Sequence, residues 1–262
     1  MSRELVFLGT GNGMPKRSSC SSILLRDGTQ NLLIDTGGGQ DLVRNLFAAG
    51  IDPKSISDVF ISHYDSDHIL GIVPLVRTFN RGGRNHTIHC SADVKKAVDS
   101  LFQYVAADHH KEMGDRLTVN VANDRSKVKI GNWAVTFFDI KSPDGSPQLG
   151  LVVEFAEGKK LVFLGDEPMR NHYLDLVQGA DVMIHDAFCL ARDEAKFEPH
   201  PKNHSTVAEA AMNAVQAGTK SLLLFHMEDD TLATRKEEYA KEAKAYFQGE
   251  VFVPIDLDVY TF

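Results

Sequence analysis

Cysteine is scarce in this chain: three residues among 262, at positions 20, 90 and 189. An odd, widely spaced set argues against a disulfide framework and points to a reducing compartment. Tryptophan occurs once, and the nine prolines form no proline-rich linker at which the chain would divide. No apolar run reaches the roughly 18–20 residues needed to cross a bilayer. The opening segment MSRELVFLGTGNG enters a strand-like run within a few residues and lacks a signal-peptide pattern. A cytoplasmic protein without a membrane partner is therefore expected. Positive charge is also in deficit, with 28 Lys and Arg against 36 Asp and Glu, a net charge of −8. A polyanion such as RNA gains nothing from that overall balance and would need a local basic patch.

What is present is an ordinary globular composition, 43% hydrophobic and 24% charged, too apolar for disorder. At this length roughly 70–75% of the unfolded surface is expected to be buried. Residues 1–262 read as one large domain, or two fused halves sharing a core. Short apolar runs recur: ELVFLG, SSILLRD, NLLIDT, DVFISH, TIHC, WAVTFFDI, LGLVVEF, KKLVFLGD, DVMIHD and SLLLFH. Each is rich in Val, Ile, Leu and Phe and bounded by polar or glycine residues, the mark of strands. Helical spacing appears over 40–49, 68–79, 92–106, 204–217 and 231–247, the fourth with Ser205 or Thr206 as N-cap. Segments 108–116, 142–148 and 190–203 read as loops. The class is mixed α/β.

Acidic and histidine residues sit at the ends of the strand-like runs. Asp35 ends NLLID, His63 ends DVFIS, Asp166 ends KKLVFLG, His185 and Asp186 end DVMI, and His226 ends SLLLF. Strand ends on one rim are where α/β enzymes place their chemistry. The segment His63-Tyr64-Asp65-Ser66-Asp67-His68 holds four potential metal ligands in six residues. An Asp-rich helix cap would need one acceptor and no histidine.

ISHYDSDHILG resembles the HxHxDH metal-binding signature of the metallo-β-lactamase superfamily. LGTGNGMPKRSSCSSILLRDGTQNLLIDTGGG, FLGDE, MIHDAF, NHSTVAEAA and LLLFH follow in the order of its ribonuclease Z and cyclic-phosphodiesterase branch. The resemblance spans about residues 5–227 and implies a four-layer αβ/βα sandwich, two mixed sheets between outer helices, with a dinuclear site of two divalent metal ions. It implies His63 in metal site one, Asp67, His68 and His226 in site two, and Asp166 bridging both ions. Asp35 and His185 would support these ligands through hydrogen bonds. Two positions depart from the pattern. Asp65 stands where the motif has its second histidine. Asp144, six residues before Gly150, stands where site one has its third. His109 and His110 are the spare histidines nearby, in a segment that reads as solvated.

Four carboxylates, Asp65, Asp67, Asp144 and Asp166, would cancel the surplus charge of two divalent ions. Oxygen-rich ligation favours Mn, Fe or Mg over Zn, relative to the parent site. The resemblance further implies that Asp186 orients His204 of the HST motif, which protonates the leaving oxygen. Asp67, Asp186 and His204 are thus the candidate catalytic group.

Bacterial members of the ribonuclease Z branch bind the tRNA elbow through an arm inserted before the bridging aspartate. Only GLVVEFAEGKKLVFLGD lies between Gly150 and Asp166, so the arm is absent. The expected function is metal-dependent hydrolysis of a small or cyclic phosphodiester. The alternatives are a ribonuclease Z-like RNA endonuclease, or a non-catalytic accessory binder that kept the fold. A homodimer is implied by the resemblance alone.

Overall fold

A computed structural model describes residues 3–262. Its strands are β1 (Glu4–Gly9), β2 (Ser22–Asp27), β3 (Gln30–Ile34), β4 (Asp58–Ile61), β5 (His86–Cys90), β6 (Leu117–Val121), β7 (Lys127–Ile130), β8 (Trp133–Asp139), β9 (Leu149–Glu154), β10 (Lys160–Phe163), β11 (Val182–Asp186), β12 (Ser221–Phe225), β13 (Glu250–Phe252) and β14 (Val259–Thr261). The described chain divides into two compact units, residues 3–122 with 256–262, and residues 123–255.

The first unit holds a seven-stranded sheet in the order β14-β1-β2-β3-β4-β5-β6. Neighbours are antiparallel from β14 to β3 and parallel from β3 to β6. Val59, Phe60 and Ile61 of β4 are all fully buried. That is why this strand reads as a continuous apolar run rather than an alternating one. Helices α1 (Gln40–Ala48), α2 (Ser66–Ile69), α3 (Ile72–Phe79), α4 (Ala92–Tyr104) and α5 (Ala107–Met113) accompany this sheet. Leu42 and Leu46 of α1, Ile72, Leu75, Val76 and Phe79 of α3, and Val94, Val98 and Phe102 of α4 join one core cluster with Val6, Leu24, Leu33, Val59 and Ile88. Each such side chain contributes about 1.5–3 kcal/mol by leaving water.

Two details differ from the sequence reading. The helical spacing over 68–79 is split at Leu70-Gly71 into α2 and α3. A Cβ at Gly71 would lie 1.8 Å from the Thr36 carbonyl oxygen, so the chain needs glycine where it bends. The segment 108–116, read as a loop, overlaps α5 up to Met113. Met113 is buried and His110 stacks on Phe102 at 4.7 Å, so tertiary packing sustains a helix too short to show periodicity.

The second unit holds the sheet β13-β12-β11-β10-β9-β8-β7. It is parallel across β10-β11-β12-β13 and antiparallel from β7 to β10. Its helices are α6 (Leu174–Val177), α7 (Glu194–Phe197), α8 (Val207–Ala217) and α9 (Arg235–Tyr246). Val207, Ala210, Ala211, Ala214 and Ala217 of α8 pack with Tyr239 and Ala243 of α9 and with Val162, Met183, Leu222 and Leu224 of the sheet. Thr206 caps α8 in a reciprocal pair: its hydroxyl accepts from the Glu209 amide at 3.3 Å, and Glu209 accepts from the Thr206 amide at 2.8 Å. The stretch 190–203, read as a loop, includes α7 between two 3-10 turns. The segment 142–148 is irregular, as expected. The edge strands β6, β7, β13 and β14 escaped the sequence reading because they are short or more polar.

All three cysteines are free thiols, two of them fully buried. No helix among the described residues is long and apolar enough to cross a membrane.

Candidate functional site

In the first unit, β3 ends at Ile34 and the chain turns at Asp35, whose φ of +57° is a left-handed conformation that costs a non-glycine residue energy. The turn leaves the Asp35 carboxylate buried and three times bonded. Oδ1 accepts from the Ser62 amide at 2.7 Å. Oδ2 accepts from the Ser62 hydroxyl at 2.8 Å and lies 2.8 Å from His68 Nδ1. Ser62 Oγ is 2.9 Å from His63 Nδ1. With its proton given to Asp35, that oxygen accepts from His63. Both imidazoles are thus held through Nδ1, which leaves Nε2 as the nitrogen suited to a metal. The two rings lie 4.1 Å apart.

The 35–37 turn is bonded to the motif. The Thr36 amide and hydroxyl both donate to the His68 carbonyl at 2.8 Å, and the Gly71 amide donates to Gly37 at 3.0 Å. Asp67 places Oδ2 3.2 Å from His68 Nε2. A Cβ at Gly13 would come within 3.4 Å of that carboxylate, so the GTGNG turn brings bare backbone beside it. Asp65 Oδ2 is 3.8 Å from His63 Nε2, on a side chain 65% exposed. Asp65 occupies the N-cap position of α2 yet makes no side-chain capping bond. Burial, and then the charge of Asp67, push the nearby Cys20 thiol up to about 11.

In the second unit, Asp166, His204 and His226 each offer a ligand atom, all within 4.8 Å of one another. His226 follows β12 with φ +57°, the same strained turn as Asp35. Its Nε2 is 3.6 Å from Asp166 Oδ2 and its Nδ1 is 3.6 Å from Asp186 Oδ1. His204 Nδ1 donates to the Asp166 carbonyl at 2.7 Å, while Asp186 Oδ2 stands 3.7 Å away. The direct hydrogen-bond partner of His204 is therefore a backbone carbonyl, with the Asp186 charge close behind. Asp186 Oδ2 itself accepts from the Ser205 amide at 2.6 Å.

Sequence reasoning missed two neighbours. Phe188 stacks on His204 with centroids 4.6 Å apart and planes 6° from parallel. Gln148 donates to Asp166 Oδ1 at 2.5 Å and is buried. Glutamine and phenylalanine carry no motif signal in strand-rich segments, so nothing in the sequence marked them.

The remaining candidates join none of the ligand groupings found among the described residues. His185 is fully buried, with Nδ1 donating to the Asp186 carbonyl at 2.7 Å and Nε2 accepting from Asn213 of α8 at 2.9 Å. Burial holds its pKa below the usual histidine range. Asp144 is exposed, and its Oδ1 accepts from the Ser142 hydroxyl at 2.8 Å and from the Ser146 hydroxyl and amide at 2.6 and 2.8 Å. Those bonds, led by the Ser146 hydroxyl, draw its carboxyl down to about 2. His109 and His110 lie on α5, within 4.0 Å of Glu112 and against Phe102 respectively.

The β-lactamase superfamily domain matches residues 30–227. The chain belongs to that family. Ribonuclease Z of Thermococcus onnurineus is 27% identical, over 99% of this chain and 94% of its own. That alignment runs over 316 positions and takes in 99% of these 262 residues, so about 57 positions of the relative have no counterpart here. The metallo-β-lactamase fold protein YhfI from Bacillus subtilis superposes with a TM-score of 0.80 at 22% identity, covering 100% of both chains. A diphosphatase from the PhnP family gives 0.74 at 17% identity, over 100% of this chain and 98% of its own. The fold is therefore the αβ/βα class that the motif order implied.

Proposed function

We propose that this protein is a metal-dependent phosphodiesterase acting on a small or cyclic phosphodiester. The observation that carries the reading is the convergence of Asp166, His204 and His226, with donor atoms within 4.8 Å of one another, beside the buried carboxylate of Asp186. The donors suit divalent metal. His63 and His68 are bonded at Nδ1, and hard carboxylates stand beside them. The proposed ligands are His63, Asp67, His68, Asp166 and His226, with Asp65 and Asp144 as added oxygen donors. Bound metal would neutralise charge on the phosphoryl oxygens and acidify water.

The chain's own residues supply the rest. The Asp35 and Ser62 bonds fix which imidazole nitrogen faces the metal. His204, held at Nδ1 by the Asp166 carbonyl, presents Nε2 as proton donor to the leaving oxygen. The Asp186 carboxylate stands 3.7 Å from its Nδ1, and Phe188 stacks on the ring. His204 is 14% exposed where His226 is 3%, which suits a residue meeting substrate. General-acid help of this kind is worth about 10²–10⁴-fold.

A second reading, RNA endonuclease, is favoured by the ribonuclease Z name of the T. onnurineus relative. The link from β9 to β10 supports the small substrate instead. Only residues 155–159 join the two strands, with Glu154 paired to Lys160, which leaves no room for an RNA-binding arm.

The deciding assay takes the full chain, stripped and reloaded with Zn, Mn, Fe or Mg, against bis-p-nitrophenyl phosphate, 2′,3′-cyclic nucleotides and a precursor tRNA. Diester turnover without tRNA cleavage is expected. Cleavage of tRNA alone would establish the second reading, and a chain that takes up no metal would be a binding protein.

A further inference from the structure

A second feature of the first unit lies apart from the metal motif. Helix α1, the turn at 53–55 and helix α3 enclose a surface groove of about 540 Å³. Its lining includes Lys54, Arg77 and Arg81, with Asp52 as the opposing carboxylate and Phe47 at its edge. Arg77 and Arg81 are four residues apart, so they project on one side of the turn that continues α3. Lys54 lies against the same turn, since a Cβ at Gly82 would come within 3.1 Å of Lys54 Cβ. Three cations thus face one groove in a chain whose net charge is −8.

Three other surface cations of this unit are ion-paired. Arg44 pairs with Asp41 at 2.8 Å, Lys95 with Asp99 at 2.5 Å and Lys96 with Asp93 at 2.6 Å. Among the described residues Lys54, Arg77 and Arg81 form no ion pair and no side-chain hydrogen bond, and Asp52 Oδ1 accepts from the Lys54 amide at 3.0 Å. Phe47 is 62% exposed, a large apolar ring left in water at the rim of a basic groove. Unpaired cations beside an exposed aromatic face are the two components of nucleotide recognition: charge for phosphate, and a ring for the base to stack on.

We propose that this groove binds a phosphorylated nucleotide, its phosphates held by Lys54, Arg77 and Arg81 and its base laid on Phe47. The ligand is either a free nucleotide or a residue of a strand; the recognition chemistry is the same. The binding is independent of the hydrolytic reading above and is measured without turnover.

The test uses the full chain with two probes, ADP and a fluorescein-labelled 2′-O-methyl uridine dodecamer that resists cleavage. Three phosphate contacts predict a logarithmic salt slope near about −2, a roughly twentyfold loss of dodecamer affinity between 50 and 200 mM salt. Arg77→Glu/Arg81→Glu should weaken both probes by about tenfold or more and flatten that slope. Lys95→Glu/Lys96→Glu, with the same change in net charge, should stay within about twofold of wild type. Phe47→Ala should weaken ADP and spare pyrophosphate. ADP binding as tightly as the dodecamer would identify a free nucleotide; a dodecamer preference above about tenfold would identify a strand. Equal losses in the two charge-reversed pairs, or no binding of either probe at 50 mM salt, would overturn the proposal.

Discussion

His68 Nδ1 lies 2.8 Å from Asp35 Oδ2, and both side chains are buried. The same oxygen takes the Ser62 hydroxyl proton, so one carboxylate sets the ring orientation of His68 directly and of His63 through Ser62. Asp35→Asn keeps the size and removes the charge. Such a partner is typically worth about 10–100-fold in metal affinity. The full chain titrated against a chromogenic chelator should show a loss in that range, with its near-ultraviolet circular dichroism retained. Unchanged affinity would return Asp35 to a purely structural role in the turn.

His204→Ala should slow a 2′,3′-cyclic nucleotide far more than bis-p-nitrophenyl phosphate. An alkoxide needs a proton to leave and p-nitrophenolate does not, so a gap of about 10²-fold or more separates proton donation from mere loop anchoring. Asp186→Asn acts through His204 from 3.7 Å. It should reproduce part of that gap between the two substrates, because the proton donor loses the carboxylate beside it. Equal losses on both substrates would remove His204 from the proton-donor role.

The strands and the strand-end residues were legible because burial on both faces leaves unbroken apolar runs, and because the ligand types differ sharply from what surrounds them. Asp35, His63, His68, Asp166 and His226 announce themselves in that way. Ser62 and Gln148 do not, since their roles arise only when distant segments pack: Ser62 bonds to Asp35 and Gln148 to Asp166, 18 residues apart. The helix α5 was hidden for a related reason. Its stability comes from Met113 and the Phe102–His110 stack, and seven residues give too little periodicity to read.

His86 provides a pH test of the first unit's core. Its ring is buried and stacks on Phe79 at 3.7 Å, and Nδ1 donates to the Ile56 carbonyl at 2.7 Å. Burial first, then the charges of Arg116 and Arg84, hold its pKa below the ordinary 6.5. The unfolded chain therefore binds a proton more readily than the folded one. This contribution to stability is complete above about pH 6.5 and is lost as pH falls through the lowered folded value, with a limiting slope near 1.4 kcal/mol per pH unit. Urea midpoints from pH 7.5 to 5 should fall more steeply for wild type than for His86→Gln. Parallel curves would show that His86 titrates alike in both states.

The last prediction separates the two aspartates that replace histidines. Asp65 stands 3.8 Å from His63 Nε2 and leaves its capping position unused, so its carboxylate is available to an ion beside His63. Asp144 has Oδ1 committed to three donors of its own loop, which draw its carboxyl down to about 2. Turning it toward an ion means giving up some of those bonds, so Asp65 should bind the more strongly of the two. Asp65→Ala should then lower the metal content from two equivalents toward one. Asp65→His should restore two and shift preference from Mn toward Zn, because nitrogen replaces a hard oxygen and the site gains a unit of positive charge. Asp144→Ala should change metal content less than Asp65→Ala. Elemental analysis of the four proteins, beside their pH–rate profiles, decides it. Full content in Asp65→Ala would reject the carboxylate-rich dinuclear site. A loss in Asp144→Ala as large as in Asp65→Ala would show that metal binding rebuilds the 142–148 loop.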